Sequence, residues 1–106
     1  MSQPRSEPAA YLVEQYLPQP TENDVESFVI ALRTAAITLS ATGESVRLAC
    51  SLLVAADELC FHVLEAASPE AASRAAHLSG IDPERVLETA AWWPPARQPT
   101  KQRNET

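Results

Sequence analysis

Cys60-Phe61-His62 sets a thiol and an imidazole two positions apart inside a run of apolar and aromatic residues. In an extended strand such residues project from one face, with their Cα atoms roughly 6 to 7 Å apart. A carboxylate brought alongside from another strand would add the third donor of an imidazole, thiolate and carboxylate set, a chemistry that suits nickel and zinc. Glu14, in the apolar stretch near the start of the chain, is the candidate, so Glu14, Cys60 and His62 are the expected metal ligands. A plainer reading stands beside this one: Cys60 as a small buried apolar residue and His62 as a histidine hydrogen-bonded to Ser51. Nucleophile-and-base chemistry has little support, because the spacing is long for direct contact and no orienting third group or pair of oxyanion donors can be picked out.

The elements that must position these residues are legible from periodicity. Val46 to Val54 and Leu59 to Glu65 are two apolar, β-branched and aromatic runs separated by Ala55-Ala56-Asp57-Glu58, the pattern of an antiparallel hairpin. Pairing Val54 with Leu59 sets Leu52 beside Phe61, Cys50 beside Val63 and Leu48 beside Glu65. One face then reads as apolar throughout and is expected to form the core. The other face carries Arg47, Ala49, Ser51, Leu53, Cys60, His62 and Leu64, and is expected to be the open one. Ala10 to Leu17 predicts a first strand, stopped by Pro18 and Pro20, which cannot donate to a ladder.

Thr21 with Asp24 forms a capping-box pattern ahead of Val25, Phe28, Val29, Leu32, Ala35, Ala36 and Leu39, whose spacing predicts a helix ending near Gly43. Ser68 and Pro69 open a second, alanine-rich helix that Gly80 stops, with His77 near its end as a solvated residue. Val86 to Trp93 predicts a fourth strand; Trp92 and Trp93 would point to opposite faces and serve core or interface packing. Strand, helix, strand, strand, helix, strand is the order of a ferredoxin-like α+β sandwich, with an antiparallel sheet ordered 4-1-3-2. In that sheet Glu14 and Tyr16 are expected beside Cys60 and His62.

A chain of 106 residues, 45% hydrophobic, supports one small domain. Residues 1 to 9 and 94 to 106 are expected to be disordered tails flanking a domain over 10 to 93, because neither tail holds enough apolar surface to offset the entropy of ordering. With 14 acidic against 8 basic residues, nucleic acid is not expected as a partner. Two glycines leave no phosphate-cradling loop. The absence of a signal-type apolar region or a membrane-length apolar run points to the cytoplasm and to no membrane partner. Cys50 and Cys60 fall on opposite faces of the hairpin, so no disulfide between them is expected.

Tyr11-Leu12-Val13-Glu14-Gln15-Tyr16-Leu17-Pro18, Cys60-Phe61-His62-Val63, and Ser68-Pro69-Glu70-Ala71-Ala72 running on to Gly80-Ile81-Asp82-Pro83-Glu84-Arg85-Val86 together resemble the small actinobacterial nickel-binding protein family, domain of unknown function 4242. The resemblance spans roughly residues 10 to 92. It implies a ferredoxin-like protomer that dimerises through its open sheet face into an α/β barrel, with nickel or another divalent metal as cofactor.

Three functions follow as expectations. The first is a non-enzymatic homodimer that binds a metal or a small molecule between two sheets, joined through the face of Leu53, Cys60, His62 and Leu64. Its ligand-binding set is Glu14, Tyr16, Arg47, Ser51, Cys60 and His62. The second is a cofactor-independent monooxygenase or cyclase of the dimeric α/β-barrel kind, acting on a polyketide-like substrate. The third is a protein-protein interaction module. The residues alone do not separate enzyme from binding protein, and they assign no catalytic residue.

Overall fold

The computed structural model describes residues 9–90. Strand β1 (Ala9–Tyr16) leads to helix α1 (Glu22–Ala41), then strand β2 (Val46–Val54), a single 3-10 turn (Ala55–Asp57), strand β3 (Leu59–Ala66), helix α2 (Pro69–Leu78) and strand β4 (Arg85–Thr89). The strands form one antiparallel sheet in the order β2-β3-β1-β4, which from the other edge reads 4-1-3-2. This is an α+β architecture consistent with a ferredoxin-like fold. The expected tails fall outside the described residues, apart from Ala9, which belongs to β1, and so do Trp92 and Trp93.

The helix boundaries follow from local chemistry. At the start of α1 the Thr21 hydroxyl accepts from the Asp24 N–H at 3.1 Å, and the Asp24 carboxylate accepts from the Thr21 N–H at 2.9 Å, satisfying two otherwise orphaned donors. Both helices end in the same way: Gly43 (φ +98) and Gly80 (φ +80) take the left-handed conformation. The residue after each glycine then donates back, Glu44 to the Leu39 carbonyl and Ile81 to the Ala76 carbonyl, each at 2.9 Å. Ser68 caps α2 by accepting from the Ala71 N–H, with Pro69 in the first turn.

Both helices lie on one side of the sheet. Their buried residues, Leu32, Ala35, Ala36 and Leu39 of α1 and Ala71, Ala72, Ala75 and Ala76 of α2, pack with Tyr11, Val13, Val46, Leu64, Ala66 and Ile81. Alanines let α2 approach the strands closely, so this core depends on small volumes as much as on large ones.

The expected assignment of faces is reversed for Cys50 to Val54 and for β3, and holds for Val46, Arg47 and Leu48. Along β3 the burial alternates so that Cys60, His62, Leu64 and Ala66 are buried, while Leu59, Phe61, Val63 and Glu65 are only half-buried. The face expected to be open, and to carry the dimer contact, is therefore the covered one. The hairpin register does match for Val54↔Leu59, Leu52↔Phe61 and Cys50↔Val63, but a bulge at Ala49 then brings Leu48 opposite Leu64 instead of Glu65. One extra residue inverts the parity of β2 at that point, so Val46 and Leu48 lie with Ser51 and Leu53 on the helix side while Arg47 stays on the open side. The strand expected over Val86 to Trp93 begins one residue earlier and is described only to Thr89.

Because Ala75 has no exposed surface, Ala75→Leu should force α2 away from the sheet and cost roughly 1 to 3 kcal/mol. Urea unfolding checks this as a lower midpoint at unchanged m-value.

Candidate functional site

Sheet register sorts every candidate side chain into rows. On the covered face one row runs Ser51, His62, Val13, Val86, and the next runs Leu53, Cys60, Gln15. On the open face the rows are Val54, Leu59, Tyr16; then Leu52, Phe61, Glu14, Arg85; then Cys50, Val63, Leu12, Leu87; then Arg47, Glu65, Ala10, Thr89. The six residues expected to form one ligand site therefore split evenly. Ser51, Cys60 and His62 lie on the helix side, and Glu14, Tyr16 and Arg47 on the open side. Glu14 stands beside Phe61, and the residue that reaches His62 is its neighbour Gln15.

His62 is fully buried and satisfied at both ring nitrogens: Nε2 lies 2.9 Å from Gln15 Oε1, and Nδ1 lies 2.7 Å from Ser51 Oγ. An amide oxygen only accepts, so Nε2 carries the proton and Ser51 donates its hydroxyl to Nδ1. The ring is neutral, because burial disfavours its charged form and lowers its pKa to about 4. Burial also pushes the Cys60 thiol up, away from the thiolate that a metal or a nucleophilic reaction needs. A metal held by Glu14, Cys60 and His62 together does not fit, because the sheet separates the carboxylate from the other two. Among the described residues no group of three or more His, Cys, Asp and Glu side chains is arranged to hold a metal ion.

The open face holds the other polar groups in fixed pairs. Arg85 Nε donates to Glu14 Oε1 at 2.7 Å across β4 and β1, and Arg47 donates to Glu65 from both Nε and Nη2. Tyr16 donates its hydroxyl to Glu58 Oε1 at 3.1 Å, a bond that, with the Glu58 charge, pushes the phenol pKa up and keeps it protonated. Glu58 sits in the left-handed region (φ 56), accepts from the Gln19 N–H at its other carboxylate oxygen, and accepts at its backbone carbonyl from the Leu17 N–H. It thus pins the end of β1 to the hairpin turn. Glu14, Tyr16, Leu59, Glu84 and Arg85 line an open depression of ≈ 510 Å³ at this end of the face.

Sequence reasoning missed Gln15, Glu58 and Arg85. Arg85 carried the only local signal: it directly precedes the strand expected from Val86, and one more strand residue sets it directly opposite Glu14.

No protein-family model matches the chain, and no curated protein matches it. Among solved structures it is similar to the SCO4226 protein from Streptomyces coelicolor A3(2), with a TM-score of 0.64 and 15% identity, covering 80% of this chain and 100% of that one. At that identity the likeness concerns the fold. No described helix is long and apolar enough to cross a membrane.

Buried neutral His62 has a pH signature. Its pKa is lowered from 6.5 to about 4 on folding, so its contribution is fully present above pH 6.5 and is lost as pH falls toward 4. Integrated over that window, the loss is roughly 3 kcal/mol. Urea melts at pH 7 and pH 4 should show this loss in the native sequence and a smaller one in His62→Gln, which starts roughly 1 to 3 kcal/mol less stable at pH 7 because Ser51 and Gln15 lose their partner.

Proposed function

We propose that this protein binds a small molecule as a homodimer, with two copies meeting through their open sheet faces and the ligand held between them. The observation that carries this reading is the helix-free face itself. Its row of Cys50, Val63, Leu12 and Leu87 is apolar throughout, Leu52 is 56% exposed, and Val54 and Leu87 are each 39% exposed. The Arg47–Glu65 pair stands at one end of the face, and the Glu14–Arg85 pair shares the row of Leu52 and Phe61.

Area is compatible with a second copy as the occupant. Three strands of about 26 Å and the five-residue β4 of about 17 Å, spaced about 4.8 Å apart, present roughly 450 Å² per copy, so two faces bury about 900 Å², the size of a weak, concentration-dependent interface. A two-fold axis suits such a face, since the same apolar rows meet on both sides. Sheet twist keeps two such faces from closing flat against each other, and the depression beside Glu14 is within the range of about 300 to 1,000 Å³ typical of ligand sites. Glu14 is already ion-paired and Tyr16 is held protonated, which favours holding a ligand over moving its protons.

Light scattering should report a dimer at micromolar concentration for the native sequence and a monomer for Phe61→Arg, which sets a charge in the middle of the face. A native monomer would contradict the reading.

A further inference from the structure

This inference rests on the ligand-binding reading above and names the ligand's class. We propose that the ligand is an apolar organic anion, with its carboxylate or equivalent acidic group received by the terminal nitrogens of Arg85 and its apolar body lying along Phe61, Leu12 and Leu87.

The described residues contain four arginines and no lysine: Arg33, Arg47, Arg74 and Arg85. Arg33 lies on α1 and Arg74 on α2, away from the open face. Arg47 is on that face, but its Nε and Nη2 both donate to Glu65. Arg85 differs from all three. It occupies the row of Leu52, Phe61 and Glu14, borders the row of Val63, Leu12 and Leu87, and donates only its Nε, to Glu14. Its terminal nitrogens donate to no described residue, and its side chain is 62% exposed where Glu14 is 14% exposed.

A nearly covered carboxylate that holds Nε of a guanidinium anchors the group at that atom. It leaves the outer, terminal nitrogens without a described partner on a residue that lines the depression. That outer edge matches the two oxygens of a carboxylate geometrically, which an ammonium group would not. Glu84, at the rim of the same depression, is exposed, so water and salt screen its charge. The apolar rows beside Arg85 provide the surface on which the remainder of such a ligand loses its contact with water.

Two dyes that share one ring system test this: 1-anilinonaphthalene-8-sulfonate, which carries an anionic group, and N-phenyl-1-naphthylamine, which does not. In fluorescence titrations the native protein should bind the sulfonate more tightly. Arg85→Gln should weaken sulfonate binding by roughly tenfold or more, the usual consequence of losing a charged hydrogen bond, and leave the neutral dye within about twofold. Retained binding of the neutral dye also shows that the variant is folded. Arg74→Gln changes the net charge equally on the far side of the molecule and should alter neither titration. Equal binding of both dyes, or equal losses in Arg85→Gln and Arg74→Gln, overturns the anionic head while leaving the ligand reading intact. Binding of neither dye overturns both.

Discussion

His62 lies without exposed surface beneath the helices because Gln15 and Ser51 occupy its two ring nitrogens, and this arrangement orients the whole sheet. An imidazole buried without partners would be costly, whereas one donor and one acceptor make it an ordinary part of the interior. Once His62 points toward the helices, strand alternation sends Phe61 and Val63 the other way. Pairing with β1 then turns Val13 and Gln15 inward and Leu12, Glu14 and Tyr16 outward. The face left open therefore carries Leu12, Phe61 and Val63 together with the Glu14–Arg85 pair.

That outcome explains what could and could not be read from the residues. Features set by chemistry within a few positions were legible: the Thr21 and Asp24 cap, the Ser68-Pro69 start, the glycine stops at 43 and 80, and the hairpin register from Val54 back to Cys50. The choice of covered face was not. Comparing the apolarity of two hairpin faces assumes that the helices cover the greasier one. Here the alanine-rich helices cover a face whose polar groups are satisfied, and the contact that satisfies them joins residues 15 and 62, which no local pattern announces. The bulge at Ala49 was equally silent, since an extra residue in a continuous apolar run leaves no gap in composition.

Of the six residues expected at one ligand site, two line the open depression. Glu14 and Tyr16 do stand near ligand-sized space, but with Arg85, Glu84 and Leu59 instead of with Cys60 and His62. The thiol and imidazole that suggested a metal centre are interior groups, one pushed toward its protonated form and the other toward its neutral form by the same burial. Whatever chemistry the protein performs on a partner or ligand is accordingly sought on the face of Phe61, where apolar surface and fixed charge lie together.

The two cysteines give the most direct test of that division, since Cys50 belongs to an open-face row and Cys60 is fully buried on the opposite face. Alkylation of the native protein with N-ethylmaleimide, mapped by mass spectrometry over a range of protein concentrations, reads both faces at once. The account predicts that Cys50 is modified in dilute protein and increasingly protected as concentration rises and the faces pair, while Cys60 reacts only on unfolding. Modification of Cys60 at a rate comparable with Cys50, or Cys50 reactivity indifferent to concentration, would contradict it.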